Sequence, residues 1–152
     1  MAWKAKTGRD QQVLYSIVAR LLALADLGEG AAHRSPWVRF CVLWSLCQAD
    51  AVVREFVAGS TWNPAGRLWS PALPNVRYGT DAADALDIAA SLRALALVVQ
   101  SMAAQMRRLA FLHPGEGADK WSLSGGSIDG LDAFIRRLGQ AVLPRIELRD
   151  TS

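Results

Sequence analysis

Residues 80–112 read TDAADALDIAASLRALALVVQSMAAQMRRLAFL. Ile88, Leu92, Leu95, Val99, Met102, Met106 and Leu109 recur at alternating steps of four and three, which is one face of a helix. Alanine falls at every seventh position beside them, at Ala82, Ala89, Ala96, Ala103 and Ala110. A seam of large residues edged by small ones lets a neighbouring helix approach along its length. Asp81, Asp84 and Asp87 open the stretch and Arg107 and Arg108 close it, the order that suits the helix dipole. Pro114 and Gly115 forbid continuation. The spacing predicts a helix from Thr80 to about Leu112, roughly 50 Å long at 1.5 Å per residue.

Three further segments show the same period. From about Asp10 to Leu27, Leu14, Ile17, Leu21 and Leu24 form a broad apolar face, with Val18, Leu22 and Ala25 beside it. Thr7 and Asp10 suggest its start, and Gly28 and Gly30 its stop. At roughly 27 Å, such a helix is too short to cover the spine at 80–112. From Pro36 to about Val57, Ser35 supplies a cap and Pro36 a first-turn residue. The first half of this helix is apolar nearly all round, which assigns Trp37 and Trp44 to the core. Asp50 and Arg54 form an i,i+4 pair where it emerges. From Ile128 to about Leu143, one stripe carries Ile128, Leu131, Ile135, Leu138 and Val142, with Pro144 as the stop. The expected fold is all-α: one domain over residues 1–152, an antiparallel four-helix bundle with a long third helix and two long Trp-bearing loops.

Composition narrows the function classes. Of 152 residues, 51% are hydrophobic and 20% charged, more apolar side chain than a small monomer easily hides. A net charge of +3, with acidic residues mixed among the basic ones, gives no nucleic-acid footprint, so that reading is disfavoured. No secretory signal or membrane span stands out, which points to a cytoplasmic protein. Cys41 and Cys47, six apart on a helix, face different ways; they read as buried, reduced thiols.

No motif carries chemistry. The two histidines, His33 and His113, have no carboxylate at bundle-metal spacing, so no metal or cofactor is expected. There is no Gly-x-Ser-x-Gly elbow. Asp81, Asp84 and Asp87 serve the helix dipole, and Ser124 to Ser127 read as a turn and cap. The long connections hold Trp62, Arg67 and Trp69, then His113, Lys120 and Trp121, which could line a pocket or a partner surface. Two hypotheses follow. The favoured one is a non-catalytic interaction protein, a homodimer that binds a second protein, with Leu97, Ala104, Phe111 and Leu43 at the subunit interface. The alternative is a ligand-binding or enzymatic bundle with its pocket under the Trp-bearing loops.

Overall fold

The computed structural model describes residues 2–59, 73–112 and 128–147, and these form four helices with no strand among them. They are α1 (Ala2–Ala32), α2 (Pro36–Gly59), α3 (Ala82–Leu112) and α4 (Ile128–Glu147). The seam of α3 points inward as its period requires. Ile88, Leu92, Leu95 and Val99 are buried against Leu14, Ile17 and Leu21 of α1 and Leu43, Leu46 and Val53 of α2. Ala85, Ala89, Ala96 and Ala103 are buried as well. Ile135 closes the core from α4, which touches α1 and α2 but not α3.

The helix starts obey local rules. The Arg39 N–H donates to the Ser35 carbonyl at 3.0 Å, the first turn of α2, with Pro36 where its missing N–H costs nothing. The Ala85 N–H donates to the Asp81 carbonyl at 3.2 Å, and the Asp84 carboxylate accepts the Asp81 N–H at 2.9 Å. Asp84 therefore reaches back over the helix start as the acidic member of a capping box does. A side chain at Gly79 would collide with that carboxylate.

Three expected helix ends lie elsewhere in the structure. The first helix begins at Ala2 and runs to Ala32, through the Thr7–Asp10 start and through both glycines of the supposed stop. A helical glycine costs about 1 kcal/mol relative to alanine, which packing can outweigh. Gly28 shows the packing: a Cβ there would lie 2.9 Å from Leu46 Cδ1 and 3.4 Å from Ala89 Cβ. The helix ends instead in i→i−3 bonds, from His33 N–H to the Gly30 carbonyl and from Arg34 N–H to the Ala31 carbonyl. At the other end of the chain, α4 continues past Pro144 to Glu147, since a proline in the last turn removes only one helical bond.

The direction of α3 differs from the expectation of an antiparallel bundle. Arg39 Nη1 donates to the Ala32 carbonyl at 3.4 Å, and Gly28 lies against Leu46. Stepping back along α1 thus steps forward along α2, so these two are antiparallel. Arg39 Nε donates to the Thr80 carbonyl at 3.0 Å, and Ser91 Oγ donates to Asp50 Oδ1; both pairs are 41 residues apart. The second contact lies eleven residues beyond the first on each helix (39 to 50, 80 to 91). That is roughly 16 Å along both axes in the same sense. So α2 and α3 run side by side in the same direction, and α1 runs against both.

The glycines of α1 and α4 give a paired test. Nothing lies within 4 Å of a Cβ built at Gly139. Gly139→Ala should raise stability by about 0.5–1 kcal/mol in chemical denaturation. Gly28→Ala should lower it by about 1 kcal/mol, because the new methyl meets the buried Leu46. An equal gain at both positions would show that α1 does not pass so close to α2.

Candidate functional site

Three features of the surface and core could carry function: a polar cluster between α2 and α3, an aromatic strip on α2, and an apolar strip on α3. The cluster is built on Asp50. Its position between Ala49 and Val53 on an apolar helix leaves it fully buried. A buried carboxylate is tolerable only with donors around it. Oδ2 accepts from Arg54 Nε at 2.8 Å and from the Tyr78 hydroxyl at 3.0 Å, while Oδ1 accepts from Ser91 Oγ. Arg54 Nη2 donates to Ser91 Oγ at 2.7 Å and to the Pro74 carbonyl at 2.6 Å. The pair expected at an emerging helix surface thus joins a fully buried carboxylate to a half-buried guanidinium. It ties α2 to α3 and to the non-helical segment at 73–79.

The groups of this cluster are hydrogen-bonded to one another. The Asp50 oxygens share three donors, and among the described residues no buried side-chain polar atom lacks a partner. No imidazole takes part in the hydrogen bonds to Ser91. Burial, then the negative charges of Asp50 and Asp84, push the Cys47 thiol up to about 11, so it is a poor nucleophile. Burial and then Asp50 also raise the Tyr78 phenol. Among the described residues no group of three or more His, Cys, Asp and Glu side chains is placed to hold a metal ion. Both cysteines are half-buried and free.

The other polar contacts fasten helices at the surface. Arg93 of α3 bridges Asp26, at 2.9 Å, and Glu29 of α1. The Arg93 hydrogen bond holds the Glu29 carboxyl below its usual range, and the two acids raise Arg93 in turn. Arg20 of α1 reaches Asp132 of α4, which also takes Arg136 Nη2 at 2.9 Å.

The apolar strips are the unexpected part. Trp37 and Trp44, assigned to the core, are 56% and 60% exposed. Trp37 stacks on Phe40, ring centroids 6.1 Å apart, and Phe40 is exposed too. On α3, Leu97 and Phe111 are 66% and 80% exposed, and Ala104 lies between them on the surface. Leu43, expected with these three at the subunit interface, is instead buried in the core. It shares the Arg39–Leu46–Asp50 side of α2, which faces α3. Trp62, Arg67, Trp69, His113, Lys120 and Trp121 lie outside the described residues. Tyr78 and Ser91 were missed. Their partner Asp50 carried a signal, an acid flanked by inward-facing apolar residues.

Among the described residues no helix is long and apolar enough to cross a membrane. Comparison with protein-family models, curated proteins and solved structures finds no match.

Two measurements test the cluster. Asp50→Ala should cost roughly 1–3 kcal/mol, because it takes the shared acceptor from the half-buried Arg54 and from the Ser91 and Tyr78 hydroxyls, while Tyr78→Phe should cost about 1 kcal/mol. A surface-like effect of Asp50→Ala, under about 0.5 kcal/mol, would mean the cluster does not hold the helices. Alkylation of Cys47, in a chain carrying Cys41→Ala, should accelerate with pH up to a midpoint near 11. A plateau near 9, the ordinary thiol value, would place Cys47 in water. Because the folded value is the raised one, stability falls as pH climbs from about 9 towards 11.

Proposed function

We propose that this chain is a non-catalytic helical interaction protein that pairs with its own copy and presents a second apolar face to another protein. The supporting observation is the exposure of Leu97 and Phe111 on α3, and of Trp37, Phe40 and Trp44 on α2, after the core is complete. Scattered apolar side chains on a surface are ordinary, but aligned ones are not. Leu97 and Phe111 stand fourteen residues apart, four turns along one helix face. Trp37, Phe40 and Trp44 follow the i, i+3, i+7 pattern by which helices offer anchors. Exposed tryptophan is also the residue most enriched among interface hot spots.

The cause of the surplus differs from the sequence argument. α1 and α3 are both 31 residues long, so a short partner does not explain it. α3 touches only α1 and α2, so its outer side has no intramolecular neighbour among the described helices. The polar cluster supports a non-catalytic reading, since its groups are consumed in fastening α2 to α3. The reading places the chain in the cytoplasm, where the unpaired thiols of Cys41 and Cys47 would stay reduced.

Sedimentation at micromolar concentration tests the reading. The expected particle has twice the 16.5 kDa chain mass. Leu97→Glu should return it to a monomer with unchanged helical circular dichroism, since Leu97 is largely exposed within one chain. A wild-type monomer at tens of micromolar would reject self-pairing, and unfolding by Leu97→Glu would assign that face to the core.

A further inference from the structure

Building on that reading of the α3 face, we infer that two copies of this chain pair α3 against α3 in antiparallel fashion, about a two-fold axis beside Leu97. The exposed residues of α3 make a self-complementary sequence. Ala83, Ala90, Leu97, Ala104 and Phe111 are all exposed, and they fall one per heptad. Reversing the helix about Leu97 sets Leu97 against its own copy and Ala90 against Ala104 of the other chain. It also sets the large Phe111 against the small Ala83. The two alanine pairs permit close approach on either side of the centre, and each end matches one large residue to one small one. A period of seven is the repeat that keeps one stripe facing a partner helix.

Charge selects the direction. Asp87 and Arg108, both exposed, flank this stripe near its two ends, on the side away from Arg93 and its acidic partners in α1. In the antiparallel pair, Asp87 of each copy stands within a residue of the level of Arg108 in the other. This happens twice by symmetry. In a parallel pair Asp87 of one copy and Arg108 of the other would stand 21 residues apart, roughly 32 Å along the axis, and could not meet. Antiparallel helix dipoles favour the same choice.

The neighbouring helix widens the surface. Tyr15 and Leu22 of α1 are 40% and 42% exposed. They share a helix side with Asp26 and Glu29, which face Arg93, one turn before Leu97. α3 alone offers a strip about 46 Å long and one helix wide, on the order of 500 Å². Tyr15 and Leu22 extend it towards the ~800 Å² per partner of a standard interface.

Charge reversal and cross-linking in the full chain test the geometry together. Asp87→Arg and Arg108→Asp should each weaken the dimer by about tenfold or more. The two substitutions combined in one chain should restore it, and circular dichroism should be unchanged throughout. With Cys41 and Cys47 replaced by serine, Leu97→Cys should cross-link to its own copy under mild oxidation. Ala90→Cys alone should not, because the two copies of that position sit roughly 21 Å apart along the axis. A mixture of Ala90→Cys and Ala104→Cys chains should cross-link. A dimer in which Ala90→Cys cross-links to itself, or in which the double reversal fails to rescue, overturns this arrangement while leaving self-pairing intact. A wild-type monomer removes self-pairing as a whole.

Discussion

A carboxylate with no exposed surface has to be surrounded by hydrogen-bond donors, and Asp50 recruits its donors from three places. Arg54 comes from the same helix, Ser91 from α3, and Tyr78 from the segment that leads into α3. The desolvation cost of a buried ion pair is large, so such a pair adds little net stability over an apolar alternative. What it adds here is selectivity among packings. Apolar residues cover most of α2 and would accept several rotations about its axis. Only one rotation gives Asp50 its hydroxyls and Arg54 the Pro74 carbonyl. That rotation in turn sends Trp37, Phe40 and Trp44 outward. The aromatic face of the molecule therefore follows from the placement of one acid.

The contact between α1 and α3 rests on smallness. Ala85, Ala89, Ala96 and Ala103 are buried on α3, and Gly28 leaves room on α1 where Leu46 also presses in. Close helices bring long surface side chains within reach across the seam, which is how Arg93 meets Asp26 and Glu29. Exposed pairs of this kind contribute little energy and mainly fix register. Arg39 does similar work at the end of the bundle, joining the carbonyls of Ala32 and Arg34 to that of Thr80.

Helix number and the inward face of α3 were legible because periodicity reports both. The orientation of α2 was not. A helix apolar on three sides has no unique inward direction in its own sequence, so Trp37 and Trp44 were placed in the core and Leu43 at a surface. The structure reverses all three. The ends of α1 were misread because Gly28 and Gly30 resemble a stop, whereas Gly28 answers to a neighbour 18 residues on, at Leu46. The direction of α3 relative to α2 also lay beyond local pattern, since it depends on contacts 41 residues apart. Leu97, Ala104 and Phe111 were placed on the outer side of α3, and all three are exposed. Residues 62, 67, 69, 113, 120 and 121 fall outside the described segments.

Two helices that run in the same direction cannot be joined by a tight turn. The described residues ahead of α3 make the return along α2: the Pro74 carbonyl lies at Arg54, the Tyr78 hydroxyl at Asp50 and the Thr80 carbonyl at Arg39. From residue 54 back to residue 39 is about 22 Å of helix. The chain from Pro74 to Thr80 reaches about 20 Å at full stretch, and the long side chains of Arg54 and Arg39 supply the rest. This strap is therefore a mechanical requirement of the topology, and it has little length to spare. A lineage that shortened it would have to surrender the side-by-side pairing of α2 and α3.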